Sequence, residues 1–265
     1  MTGIIDTHAH YDDRQFDGDR EAMLSGLPDK EISLIVNVGA SMASSERTLE
    51  LTRRYRRVYG AVGVHPDETK ELDEEKFSRL REMAKEKKIV AVGEIGLDYY
   101  WDATDREVQK YWFARQMELA QELQKPFIVH SREAAEDTLR LVRETDGGKT
   151  GGVIHCFSYS PEIAREYLKM GYFLGIGGVV TFKNAKKLKE VVKEAPIDRL
   201  VLETDCPYLA PAPHRGERNT SWNLPLVAAE IASLKGMEPE EVVRITSENA
   251  LRLYGGIERE GIWQN

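Results

Sequence analysis

Residues 4–13 read IIDTHAHYDD, an apolar run that ends in two histidines one residue apart, with an aspartate the same distance before them. Side chains alternate faces in an extended segment, so Asp6, His8 and His10 are expected on one face and Thr7 and Ala9 on the other. Three ionisable groups on one strand face need partners. Where those partners come from decides the fold.

Seven further apolar runs follow, each stopping at a polar or glycine-rich tip: ISLIVNVGA (32–40), RVYGAVGVHP (57–66), KIVAVGEIGLDYY (88–100), KPFIVHSRE (125–133), GGVIHCFSYS (151–160), GYFLGIGGVV (171–180) and IDRLVLETDCPYLAP (197–211). Stretches of helical period or composition separate them, such as DEEKFSRLREMAKEK, EVQKYWFARQMELAQEL and AKKLKEVVKEA. Ser44 and Ser45, Asp73, and Ser160 before Pro161 suit helix N-termini. This alternation predicts an α/β chain with a parallel sheet closed into a (β/α)8 TIM barrel, a single domain over residues 1–256. LPLVAAEIASLKG and EPEEVVRITSENALRLYG predict additional C-terminal helices, and 257–265 a frayed tail. An open doubly wound sheet is the alternative.

The polar tips carry the chemistry. His8 and His10 end the first run, His65 the third, Glu94 the fourth, His130 the fifth, His155 the sixth and Asp205 the eighth. Five of the six histidines therefore close a predicted strand, and in a barrel those ends meet at the rim that holds active sites. A single inward histidine is more often a hydrogen-bonded core residue than a ligand. Six unliganded ionisable groups at one rim would carry a large desolvation cost, which metal coordination offsets. Imidazoles and carboxylates suit Zn²⁺, and oxygen-richer sites suit Mg²⁺ or Mn²⁺. The donors exceed one tetrahedral ion, so the expected cofactors are two divalent metal ions bridged by Glu94. Such a pair polarises an ester oxygen and lowers the pKa of a bound water so that hydroxide attacks. Asp205 is the expected ligand and base. Glu203, one layer deeper on the same strand face, is expected to orient a ligand. Asp6, also deeper, reads as support.

Other residues read more plainly. Asp98 suits a turn cap, and Tyr99, Tyr100 and Trp101 are expected to pack the barrel top rather than stack a base. Cys156 and Cys206 are expected to turn outward as buried, inert thiols. The RRYRR run (53–57) reads as a solvated face at the opposite end. Lys183, Arg215 and Arg218 lie in the loops after the seventh and eighth strands, where such barrels hold phosphate, and are the candidates for a phosphodiester; solvated ion pairs are the alternative.

Composition narrows the classes. With 265 residues and 41% hydrophobic composition the chain can bury a large core. The net charge of −8 argues against a broad basic surface for nucleic acid. Two cysteines make a disulfide framework improbable. Together with the lack of a long apolar run or leader segment, this predicts a cytoplasmic protein with no membrane attachment. Nothing calls for an obligate protein partner.

The series DTHAHYDD, GVHP, GEIGLDY, HSRE, HCFS and LETDCPYLAP, then HRGERN, resembles the TatD-like metal-dependent deoxyribonucleases of the amidohydrolase superfamily, from residue 4 to about 255. The resemblance implies a divalent-metal hydrolase of DNA phosphodiesters, often a 3'-to-5' exonuclease on single-stranded ends. It implies metal ligands at His8, His10, Glu94, His130, His155 and Asp205, with His65 near substrate. Glu94, where many superfamily relatives carry a modified lysine, favours the TatD-like branch. Tyr11 and the NTSWNLP stretch (219–225) depart from the family pattern, which weakens what the resemblance implies of substrate range more than what it implies of the metal chemistry. The alternatives are a hydrolase of amide, lactone or aminoacyl-tRNA ester bonds on the same barrel, or a non-catalytic metal-binding scaffold.

Overall fold

A computed structural model describes residues 3–101, 103–146 and 148–258. Eight parallel strands follow in chain order: β1 (Ile4–Ala9), β2 (Ile32–Val38), β3 (Val58–Val62), β4 (Ile89–Asp98), β5 (Phe127–Arg132), β6 (Gly152–Ile154), β7 (Phe173–Ile176) and β8 (Leu200–Leu202). The helices are α1 (Arg20–Ser25), α2 (Met42–Arg54), α3 (Glu74–Ala84), α4 (Arg106–Glu122), α5 (Ala135–Thr145), α6 (Pro161–Lys169), α7 (Lys186–Glu194), α8 (Leu224–Lys235) and α9 (Pro239–Leu253). This is the expected (β/α)8 barrel. The short α1 was not anticipated; its six residues are too few to display a helical period.

Period-2 alternation divides the strands' apolar residues between two cores. Ile5, Leu34, Val36, Tyr59, Ala61, Ile128, Val153, Phe173 and Val201 cluster together, whereas Ile4, Ile35, Val58, Val62, Phe127, Val129, Ile154 and Leu174 pack with the helices. The first cluster also takes Leu251 and Leu253 of α9 and Tyr254 just after it. That helix forms the barrel floor. Ser247 donates to the Gly3 carbonyl (2.9 Å), Asn249 to those of Ile197 and Leu200 (2.8 and 2.7 Å), and Tyr254 to that of Thr7 (3.0 Å). Packed structure continues two residues past Gly256: Ile257 is buried, and Glu258 meets the Tyr59 hydroxyl through its amide and Lys87 through its carboxylate. The rest of the expected tail lies outside the described residues.

The seam between β1 and β8 lies largely beyond the ends of β8. Thr7 donates to the Leu202 carbonyl (2.9 Å), Asp205 N to the His8 carbonyl (2.9 Å) and His10 N to the Cys206 carbonyl (2.8 Å). Asp6 strengthens it, accepting from Thr204 Oγ1 and Ser221 Oγ, each at 2.6 Å. Its carboxylate therefore does not share a face with the two histidines. A register irregularity between Asp6 and Ala9 breaks the expected alternation.

Tyr11 and Ser221, from the two stretches that depart from the family pattern, touch each other. The Tyr11 hydroxyl donates to Ser221 Oγ and accepts from Ser221 N, both at 3.0 Å, and both residues are fully buried. They pack this seam. The α2 cap is corrected: Ser41 accepts from Ser44 N (3.1 Å), while Ser44 and Ser45 lie inside the helix and bond to Asp12 and Gly63. Asp73 caps α3 as expected. RRYRR does more than face solvent. With Lys87 and Lys88 it lines a concavity of about 540 Å³ at the floor end, where Arg57 donates to the Ser33 carbonyl.

Candidate metal centre

Strand periodicity and its interruptions together aim the donors. His130 follows Ile128, His155 follows Val153 and Glu203 follows Val201 at the two-residue step, so all three continue the interior face. Glu94 arrives differently, through a register irregularity between Val92 and Ile95. Gly96 lets β4 and β5 approach there: a Cβ on it would stand 1.9 Å from the His130 carbonyl oxygen. Gly175 leaves room for Glu203, since a Cβ on it would lie 2.1 Å from Oε2.

The resulting cluster is tight. His8 Nε2 stands 3.0 Å from His10 Nε2, 3.5 Å from Glu94 Oε2 and 3.6 Å from Asp205 Oδ1. His10 Nε2 is 3.3 Å from Asp205 Oδ1. On the other side of Glu94, Oε2 lies 3.0 Å from His155 Nε2 and 4.0 Å from His130 Nδ1, and those two nitrogens are 3.2 Å apart. Glu94 thus belongs to two donor groups, one with His8 and His10 and one with His130 and His155. Asp205 has a left-handed backbone (φ 56°), a conformation uncommon outside glycine and frequent at functional sites.

Supporting bonds orient the rings. His10 Nδ1–H donates to the Val38 carbonyl (2.8 Å), which leaves Nε2 with its lone pair toward the cluster. His130 Nε2 meets Asp98 Oδ2 at 3.0 Å, leaving Nδ1 toward Glu94. Asp98 Oδ1 accepts from Tyr100 N and Trp101 N (2.8 and 3.2 Å). The expected turn cap is therefore also a partner of a candidate ligand, which the sequence reading missed. Its position four residues after Glu94, at the same strand end, was the available signal. Glu203 Oε1 lies 3.8 Å from His155 Nδ1 and accepts from Cys156 N.

The electrostatics favour a cation. Burial alone would lower His10 and His155, but Asp205 and Glu94 push His10 up to about 10, and Glu94 with Glu203 and Asp205 push His155 up to about 9. Burial holds His8 well below its ordinary value and His65 down to about 3, and it raises Glu203 to about 8. Glu94 Oε2 is buried without a hydrogen bond although imidazole nitrogens surround it. A donor set whose lone pairs converge and whose carboxylates call for positive charge fits a divalent ion.

The remaining candidates are less concentrated. The His65 ring makes an edge contact with His130 (centroids 4.3 Å apart), and its donors group with those of Asp98 and His130. Lys183 is exposed, and Arg215 lies over the Phe182 ring (4.5 Å). Arg218 is engaged by Asp19 (2.9 Å) and by the Gln15 carbonyl (2.6 Å). Tyr100 and Trp101 do not pack the barrel top: they are 50% and 60% exposed, while Tyr99 is partly buried and donates to Asp137. Cys206 is buried as expected. Cys156 is only partly buried, because its left-handed backbone (φ 45°) departs from the strand geometry behind the expectation.

Barrels that gather imidazoles and carboxylates at this rim are a common frame for metal-dependent hydrolysis, and the fold and the site put the chain in that class. It belongs to the TatD family: residues 5–255 match the family described as TatD related DNase. It is 44% identical to the uncharacterized metal-dependent hydrolase YabD of Bacillus subtilis, over 95% of this chain and 98% of that one. It is 35% identical to the 3'-5' ssDNA/RNA exonuclease TatD of Cronobacter sakazakii, over 91% and 93% of the two chains. The crystal structure of the TatD homologue YJJV from Escherichia coli superposes with a TM-score of 0.89 at 31% identity, covering 96% of this chain and 98% of that one. No helix among the described residues is long and apolar enough to cross a membrane.

Proposed function

We propose that the chain is a two-metal phosphodiesterase that removes nucleotides from single-stranded DNA ends in the 3'-to-5' direction. The observation that carries this reading is Glu94 shared between two donor groups, as a bridging carboxylate must be. The exonuclease name of the Cronobacter relative supports the substrate class. His8, His10, Glu94 and Asp205 would hold one ion, and Glu94, His130 and His155 the other. Such ions, when bound, supply Lewis acidity toward a phosphoryl oxygen and make a nearby water acidic. Asp205 would take that water's proton, and His10, whose Nε2 lies 3.3 Å from Asp205 Oδ1, would share the same ion. Glu203 positions His155 from below. His65, kept neutral by burial, faces the substrate side, and Lys183 and Arg215 reach for phosphate from the rim loops. Arg218, tied to Asp19, acts by holding its loop.

Single-stranded oligonucleotides labelled at the 3' or 5' end, incubated with Mg²⁺ or Mn²⁺, should give a metal-dependent ladder. Asp205→Asn should slow it about 10²- to 10⁴-fold while keeping the wild-type circular dichroism. Turnover of amide, lactone or aminoacyl ester substrates with no oligonucleotide cleavage would overturn the reading.

A further inference from the structure

We propose that Tyr100 and Trp101, backed by the Arg132 guanidinium, form the surface on which an unpaired base stacks as single-stranded nucleic acid enters the site. The inference rests on the nucleic-acid reading above and adds residues that determine specificity. The two rings meet edge to face with centroids 4.9 Å apart, and Arg132 lies 3.8 Å from the Tyr100 centroid and 5.3 Å from that of Trp101. Both rings are at least half exposed in a chain that buries most of its large aromatics. Two further exposed rings are engaged otherwise: Arg115 holds the Tyr111 hydroxyl, and the Tyr208 hydroxyl bonds to Asp13.

Position distinguishes this pair from ordinary surface aromatics. The amides of Tyr100 and Trp101 are fixed by Asp98 Oδ1, and the other oxygen of that carboxylate holds His130. One side chain thus sets the aromatic turn relative to a member of the donor cluster. A base offers a free π-face only when unpaired, so such a surface selects single strands over duplex and tolerates any base. The adjacent guanidinium, already stacked, keeps its edge for a backbone phosphate.

Kinetics on a single-stranded oligothymidylate and on bis(p-nitrophenyl) phosphate test this. Trp101→Ala and Tyr100→Ala should raise KM for the oligonucleotide about 5- to 150-fold, with much less change in kcat, so that the preference for oligonucleotide over the small diester falls. Trp101→Phe should restore most of it. Tryptophan fluorescence of Asp205→Asn, which binds without rapid cleavage, should be quenched on titration with the oligonucleotide, and the quench should shrink in Asp205→Asn/Trp101→Phe. Wild-type KM in both alanine variants, or an undiminished quench in the double variant, would overturn the stacking surface. If the wild-type protein cleaves no oligonucleotide, the nuclease reading falls separately. The quench then still decides whether Trp101 stacks a base.

Discussion

Asp98 shows how one side chain can serve a turn and a donor cluster together. Burial would raise its pKa, but the bond to His130 and the amides of Tyr100 and Trp101 hold it below the ordinary carboxylate value. An asparagine there keeps the size and loses the charge that orients and enriches the imidazole. Asp98→Asn should therefore raise the metal concentration needed for half-maximal activity about 10- to 100-fold, with recovery at saturating metal. Titration of activity against Mn²⁺ checks this, and an unchanged metal requirement would count against the role. At this scale the sequence was legible where alternation held: His130, His155 and Glu203 point inward as the two-residue step requires. It was less legible at Asp6 and Asp98. The local irregularity in β1 that separates Asp6 from the histidines depends on pairing with β2, which a single strand's pattern does not contain.

Among the elements, the turn leaving α5 is stabilised by one buried carboxylate. Asp146 accepts from the Tyr172 hydroxyl (2.6 Å), Gly148 N (2.9 Å), Thr150 N (2.9 Å) and Gly151 N (3.3 Å), and so delivers the chain into β6. Burial would raise its pKa, but these donors outweigh burial and leave it below 3.8. A depressed folded pKa contributes stability above the unfolded value, lost as pH falls through the folded one. Asp146→Asn should thus cost about 1 to 3 kcal/mol at pH 7, and the gap to wild type should narrow as the pH drops below about 4. Urea denaturation at the two pH values measures it. A gap that does not change with pH would remove the charge from the account. The long strands and helices were readable from apolar period and caps such as Asp73. α1 and the role of α9 as floor were not, because a six-residue helix has no measurable period and a floor is defined only by the barrel it closes.

For the whole molecule, the donors at the rim and the fold depend on each other. Four imidazoles and two carboxylates come from β1, β4, β5 and the segments after β1, β6 and β8, so any ion they share ties distant parts of the barrel together. Ligand bound only to the folded state adds about 4 kcal/mol at a thousand-fold excess over Kd. Chelation should accordingly lower the melting temperature as well as the activity, and Mn²⁺ or Zn²⁺ should restore both. A melting curve indifferent to chelator and metal would mean that the cluster holds no ion of consequence.

The β1–β8 seam has a temporal consequence. His8 and His10 are made early and Asp205 some two hundred residues later, and the bonds from Asp6 to Thr204 and Ser221 form only when both have left the ribosome. Such long sequence separation makes closure a late folding event. A nascent or truncated chain thus carries the histidines without the carboxylate that completes their group, and the hydrolytic capacity proposed here is withheld until synthesis has passed the eighth strand.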